Sequence, residues 1–375
     1  MNPYSKNNPY IAKFLYCSSL HQAGAAKSTQ HVVVEIDSNE IQYKPGDAVG
    51  VFPQNDKDLV AKILSDYEFT GDELVKNESD NEVTLLDVLL THEVTIIKRA
   101  LLSLVTKFSQ SDRVKELIKT PEASSAFLMG KDLLDIKSEF SCFCPTAQEL
   151  VNTLRPLKPR LYSIASSLDN HPNQIHLTIG VVLFESGNRT RKGVTSNWLS
   201  YGLSNGDPVP CFIHEAKKFK LPKDSNTPII MVGPGTGIAP FRAFLQERKV
   251  QKAQGKAWLF FGNQHRATDF LYEDESKTLM DEGYLTRLDT AFSRDQEYSI
   301  YVQDRVREHG EEVWKWIDSG ACFYVCGDAR RMAKDVDVAL HEVIRIHGMM
   351  SEGRSETYVK QMKKDGLYQR DVYTI

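Results

Sequence analysis

Apolar positions along the chain change their spacing several times, and each change marks a different kind of element. The β-branched run His31-Val32-Val33-Val34-Glu35-Ile36-Asp37 predicts a strand, and in Tyr43-Lys44-Pro45-Gly46-Asp47-Ala48-Val49-Gly50-Val51-Phe52 a Pro-Gly turn precedes another. Antiparallel strands joined by short turns suggest a small barrel. From Asp56 to about Leu154 the pattern becomes helical: Leu59, Ile63 and Leu64, then Leu85, Leu86, Val88, Leu89 and Leu90, recur with charged residues between them. This stretch reads as a helical insertion. Strand character returns at Arg160–Ser167 and in one long run, Gln174 to Phe184. Beyond the polar hinge Asp224-Ser225-Asn226-Thr227-Pro228 strands and helices alternate: Ile229–Val232, Phe241–Lys249, Trp258–Phe261, Phe323–Cys326 and Ala329–His347. Such alternation predicts a parallel sheet with helices on both faces. The expected fold is therefore two-domain α+β: an antiparallel β-barrel over residues 1–226 with its insertion at about 56–154, then a doubly wound α/β domain over 227–375.

Composition adds exclusions. A length of 375 residues suits two domains, each able to bury a core, and a net charge of −4 gives no reason to expect nucleic acid. No apolar run approaches the roughly 20 residues of a membrane helix, and the start Met1-Asn2-Pro3-Tyr4-Ser5-Lys6 lacks the apolar core of a signal peptide, so a cytoplasmic location is the default expectation. The six cysteines are too scattered for a disulfide framework, and Cys142-x-Cys144 has no second pair at metal-ligand spacing. They read as reduced thiols, with no metal.

The chemistry-bearing stretches lie where the pattern turns. In Arg160-Leu161-Tyr162-Ser163-Ile164-Ala165-Ser166-Ser167 a strand presents Arg160 and Tyr162 on one face and Ser163 on the other. Together they offer a guanidinium for a pyrophosphate, a ring for stacking and a hydroxyl, a set that suits a flavin. Gly193-Val194-Thr195-Ser196 opens a helix over Asn197-Trp198-Leu199-Ser200-Tyr201-Gly202-Leu203. A helix N-terminus can seat a pyrophosphate, and Thr195 and Ser196 serve equally as caps. Gly233-Pro234-Gly235-Thr236-Gly237 stands between a strand and a helix, where glycines allow a sharp turn close to a dinucleotide.

With Tyr324-Val325-Cys326-Gly327-Asp328 and the closing Asp371-Val372-Tyr373, these motifs make the chain resemble the FAD/NADPH reductase half of the diflavin reductases, of the sulfite reductase flavoprotein (alpha) subunit type, from about Tyr43 to the C-terminus. The resemblance implies an FAD-binding barrel followed by an NADP(H)-binding domain, and hydride transfer from NADPH to FAD. It puts Thr95, Arg160, Leu161, Tyr162, Ser163, Thr178, Ile179, Gly180, Phe184, Gly193, Val194, Thr195 and Ser196 at the FAD, although a helix-capping Thr95 and a plain barrel Ile179 read as well. For NADPH it implies Gly235 and Thr236, with the Ala239–Phe244 run, at the pyrophosphate. Ser293, Arg294, Tyr301 and Gln303 would serve the 2′-phosphate and adenine, with Asp335 beside them. Ser299 stands where the family commonly has a Lys, so a weaker NADPH preference is expected.

At the meeting point of the two cofactors the resemblance places Ser163, Cys326 and Asp371, with Tyr373 as a ring that must move for nicotinamide to reach the flavin. Thr374-Ile375 extend past the Tyr at which this type usually stops. No FMN domain fits before Tyr43, so the electron acceptor is open: a sirohaem sulfite reductase subunit, or a flavodoxin- or ferredoxin-type carrier. The alternative function is accordingly a ferredoxin/flavodoxin–NADP reductase.

Overall fold

The computed structural model describes residues 3–109 and 111–373. Its strands, in chain order, are β1 (Tyr10–Ser19), β2 (Thr29–Glu35), β3 (Ala48–Val51), β4 (Leu74–Lys76), β5 (Glu82–Thr84), β6 (Arg160–Ser163), β7 (Gln174–Gly180) and β8 (Leu183–Ser186). They continue with β9 (Arg189–Lys192), β10 (Pro208–His214), β11 (Ile229–Val232), β12 (Ala257–Asn263), β13 (Arg287–Phe292), β14 (Cys322–Asp328) and β15 (Tyr368–Tyr373). The chain divides into two compact units: residues 1–51, 161–181 and 204–375, and residues 52–160 with 182–203.

The first unit carries two sheets. One is antiparallel in the order β6-β3-β10-β1-β2-β7, and just beyond β6 an Ile164–Leu177 bridge ties the chain back to β7 and closes a barrel. The central strand β2 is flanked by β1 and β7, which explains its unbroken apolar Val32-Val33-Val34. In β1 only Ala12 and Phe14 turn inward, two residues apart, and a register shift between Phe14 and Tyr16 bends the strand. The second sheet is parallel, in the order β13-β12-β11-β14-β15. Strands β11 and β14 lie side by side and the winding reverses between them, which opens a crevice at their C-terminal ends, the place where such sheets take ligands. Gly233–Gly237 and Cys326–Gly327 occupy those two ends.

The second unit is mainly helical. Its core is built from Val60, Ile63, Leu85, Val88, Leu89, Leu101, Leu102 and Phe143 among others, and Asp56, Thr84 and Asp132 accept backbone N–H bonds at three helix starts. It also holds two short hairpins: β4–β5, inside the stretch expected to be helical, and β8–β9, beyond it. Arg189 and Arg191 of β9 each reach both Asp132 and Asp135, a largely buried ionic cluster that fastens the second hairpin to the helix Leu133–Glu139.

The strand expected over Gln174–Phe184 is two elements. It stops at Gly180 and restarts at Leu183, and the two pieces fall in different units. The helix after Gly193 begins at Val194, three residues earlier than its apolar pattern shows. Thr95 caps no helix: it sits in a bend, and the next helix, Arg99–Val105, starts after Lys98. Thr374 and Ile375, expected to bear on a C-terminal lid, lie outside the described residues.

Candidate functional site

Parallel pairing of β14 with β15 sets Cys326 opposite Asp371 and Asp328 opposite Tyr373. The carboxylate of Asp371 accepts a hydrogen bond from Ser163 Oγ at 2.7 Å, and Cys326 Sγ lies 3.9 Å from the same oxygen. Three residues separated by as many as 208 positions are thus brought to one point. Burial pushes the Asp371 carboxyl above its ordinary range, opposed by the Ser163 hydroxyl and then by the charge of His214. Burial, reinforced by Asp371, holds the Cys326 thiol far above its usual value, so this sulfur stays protonated and acts as a soft, uncharged wall.

The glycine-rich turn abuts this point. A Cβ on Gly237 would stand 2.2 Å from the Cys326 carbonyl oxygen, and one on Gly233 would meet the Gly237 carbonyl and the Phe241 ring at 2.6 Å. Gly235 has φ near +56° and open space where a Cβ would project, the cradle that a diphosphate needs for close approach to backbone. Thr236 bonds Tyr373: their hydroxyl oxygens are 2.7 Å apart. A Cβ on Gly180 would be 3.4 Å from the Thr236 methyl, so the end of β7 approaches the turn as well. On β7, Thr178 bonds the Tyr272 hydroxyl at 2.8 Å and Ile179 is wholly buried. Leu161 is exposed, and Tyr162 and Ser163 are half-buried.

In the Ala239–Phe244 run the side chains have partners within the protein. Ala239, Phe241, Ala243 and Phe244 pack into the core, and the Arg242 guanidinium is committed to Glu275 (2.7 Å), the Ala165 carbonyl (2.7 Å) and His176 Nδ1 (3.2 Å), stacked over the Tyr272 ring. Around it gather His31, whose Nδ1 is 2.9 Å from the Tyr272 hydroxyl, and His171, whose ring is 4.2 Å from that of His176. Burial, followed by the Arg242 charge, pushes His31 down to about 3 and His176 down to about 2, and lowers His171. Sequence reasoning missed this cluster. Its one trace was a histidine beside apolar residues in each of two strands, His31 before Val32–Val34 and His176 between Ile175 and Leu177.

The groups expected at the 2′-phosphate follow β13. The Ser293 and Arg294 amides bond the carbonyls of Asn263 and Gln264, which leaves the Arg294 side chain exposed. Tyr301, half-exposed, precedes the helix Val302–Glu308, on which Gln303 lies, while Asp335 is exposed in the first turn of the helix Met332–His347.

In the second unit, taken by itself, Gly193 stands at the N-terminus of the helix Val194–Tyr201, which has no side-chain cap. Thr195 and Ser196 are buried, and Ser196 Oγ accepts from the Val182 amide rather than capping. A Cβ on Gly193 would meet Val182 at 2.7 Å, so only glycine fits this turn. Phe184 is half-exposed on β8. Arg160 is exposed, and with Lys98 and Lys158 its charge counters the burial that raises the Glu93 carboxyl. Thr95 is half-buried nearby in sequence.

These donors fit FAD and NADPH. In the second unit a helix N-terminus without a cap and an exposed guanidinium suit a diphosphate, and the uncovered apolar side chains of Leu183 and Phe184 suit a flat aromatic ligand. Residues 2–198 match the family model described as FAD binding domain, and residues 231–337 match the oxidoreductase NAD-binding domain. The chain is 43% identical over 374 residues to the sulfite reductase [NADPH] flavoprotein alpha-component of Bacillus subtilis, covering 99% of this chain and 62% of that protein. It is 41% identical over 370 residues to the protein of that name from Aliivibrio fischeri (99% and 61%) and 40% identical over 374 residues to one from Yersinia pestis (100% and 61%). The chain thus spans about three fifths of the length of these relatives.

Proposed function

The chain belongs to the family of FAD-binding oxidoreductases with an NAD-binding domain, and from that premise we propose that it is an NADPH-dependent flavoprotein reductase which passes electrons on toward sulfite reduction. The observation that carries this reading is the convergence of Ser163, Asp371 and Cys326 at the switch point of the parallel sheet, against the glycine-rich turn. Bound FAD would supply acceptance of a hydride from NADPH and onward delivery of the two electrons.

The protein's share is binding, orientation and exclusion of water. We assign residues 1–226 to FAD and 227–375 to NADP(H). Arg160 and the Gly193–Ser196 turn would hold the FAD diphosphate, supported by the uncapped helix end. Leu161, Tyr162, Thr178, Ile179, Gly180 and Phe184 would line the cofactor, with Thr95 at its margin. Gly235 and Thr236 would take the NADPH diphosphate, while Ser293, Arg294, Tyr301, Gln303 and Asp335 would take its phosphoadenosine end. Ser163 pins one oxygen of Asp371 by a hydrogen bond. An Asp371 anion so held would stabilise positive charge developing on the nicotinamide ring, and the protonated Cys326 would pack on it without competing for charge. The partner would be an electron-accepting protein, either a sirohaem sulfite reductase subunit or a flavodoxin- or ferredoxin-type carrier.

Anaerobic titration of the purified yellow protein with NADPH tests the reading. Full bleaching at about one equivalent, followed by reoxidation on adding the acceptor, is the expected result. A colourless protein that takes up no FAD, or one that NADPH does not bleach, refutes it.

A further inference from the structure

The helix Ala239–Val250, which follows directly on the glycine-rich turn, lies against the segment that continues β6. Three of its residues, Arg242, Gln246 and Glu247, are spaced i, i+4 and i+5 and so share one face. Each takes a partner in that segment. Arg242 Nη1 donates to the Ala165 carbonyl at 2.7 Å, Gln246 Oε1 accepts from the Ser167 amide at 3.1 Å, and Glu247 accepts from the Ser167 hydroxyl. Glu275, on the helix Glu273–Asp281, accepts from both Arg242 and Gln246, so one carboxylate fixes the conformation of two of the three. The segment is tied to β7 as well, where the Ala165 amide donates to the His176 carbonyl at 2.8 Å and Ser166 Oγ accepts from the His176 amide. The chain just past Ser163 is thereby joined to the helix just past Gly235.

We infer that Arg242 is a positioning residue for hydride transfer: by binding the Ala165 carbonyl it sets the gap between the turn that takes NADPH and the strand that presents Ser163 to the flavin. This rests on the reading of the chain as an NADPH-dependent flavoprotein reductase. The guanidinium is badly placed to hold the diphosphate itself, since the side chain is only 10% exposed and its Nε and Nη1 are committed to Glu275, Ala165 and His176. A rigid planar fork suits such a tie, whereas the lysine ammonium is a point charge on a flexible stem. The rate of transfer is sensitive to small misplacement of the reacting atoms, about a hundredfold for ~1 Å. Affinity is spread over the whole dinucleotide and does not share that sensitivity.

The FAD-loaded chain is compared with its Arg242→Lys, Ser167→Ala and Lys249→Ala forms. Flavin reduction at saturating NADPH is followed by stopped flow, the long-wavelength charge-transfer absorbance of nicotinamide over flavin is recorded, and NADP+ affinity is measured by calorimetry. Arg242→Lys keeps a positive charge beside Glu275 but loses the fork, so saturated reduction should slow about tenfold or more and the charge-transfer absorbance weaken, with NADP+ affinity held within about twofold. Ser167→Ala removes the neighbouring tie to Glu247 and should move rate and absorbance the same way by about twofold to threefold. Lys249→Ala breaks an exposed ion pair with Glu282 on the same helix and should change neither. NADP+ affinity that falls in step with the rate, or falls alone, makes Arg242 a phosphate ligand and overturns the inference. Unchanged rate and absorbance in Arg242→Lys, or equal slowing in Lys249→Ala, reduces the tie to a contribution to stability and overturns it too. Should Arg242→Lys fail to retain FAD, the same criteria are read from Ser167→Ala. An unsubstituted chain whose flavin NADPH does not reduce overturns the reductase reading itself, a failure visible before any variant is compared.

Discussion

Acidification should destabilise this protein through two buried histidines, by an amount that the structure bounds. His31 and His176 are 8% and 3% exposed and are pushed down to about 3 and about 2, below an ordinary imidazole value of 6.5. Burial first, then the Arg242 charge, favours the neutral rings. Arg242 faces His176 Nδ1, the Tyr272 hydroxyl faces His31 Nδ1, Gln174 Oε1 accepts at His176 Nε2, the His171 ring lies tilted alongside, and Glu275 is already committed to Arg242 and Gln246. Both folded values are depressed, so above pH 6.5 neither group affects stability. As pH falls below 6.5 the unfolded chain binds protons that the folded chain refuses, and stability drops until the folded values are reached.

The limiting slope is about 1.4 kcal/mol per pH unit for each ring, so at pH 5 each costs about 2 kcal/mol and the pair about 4. That is a large part of a typical total of 5–15 kcal/mol. The assay is urea unfolding followed by tryptophan fluorescence at pH 8, 6.5, 5.5 and 5, on the protein and on a His31→Gln/His176→Gln double variant. The variant should start less stable at pH 8, having lost fitted partners, yet lose about 4 kcal/mol less on going to pH 5. Carboxylates titrating elsewhere cancel in the comparison. Two parallel curves would refute the reasoning, since they would mean that the rings are accessible to protons in the folded state.

Three further outcomes are expected. Gly237→Ala drives a Cβ into the Cys326 carbonyl, a backbone atom that cannot swing away, so a stability loss of about 1–3 kcal/mol and a fall in NADP+ affinity should appear together in thermal and binding measurements. Asp371 has its carboxyl raised by burial, so NADPH–ferricyanide turnover should fall on the acid side at a higher pH than an ordinary carboxyl would set; the Asp371→Asn variant should be slower above that limb, lack the limb and converge with the protein below it. Arg294→Ala removes an exposed cation and should raise KM for NADPH about tenfold or more while leaving NADH unchanged, read from parallel steady-state kinetics.

Much of this architecture was legible in the linear pattern because it depends on local periodicity. The apolar runs at 229–232, 258–261 and 323–326 form buried parallel strands, and the helical spacing from Leu59 to Leu90 announces the helical unit. The glycines at 233, 235 and 237 were readable as a turn, since a missing side chain is itself a local signal. Legibility failed where a neighbour distant in sequence decides the outcome. Nothing near Val181 says that a strand ends at Gly180, because the partner that ends with it is β2. Arg242 sits in a run that suggests phosphate contact, yet its guanidinium is claimed by Glu275, Ala165 and His176, groups that only the folded chain brings to it.

Residue types and order alone determined two alternating patterns of secondary structure and the chemical inventory of hydroxyl, thiol, carboxylate and ring. Tertiary structure decided their company: β15 beside β14 puts Asp371 against Cys326 and Ser163, and Tyr373 on Thr236. Spacing along a chain fixes which face a side chain uses. Which other face it meets is set by the burial of apolar surface over the whole sheet, a sum that no single stretch contains.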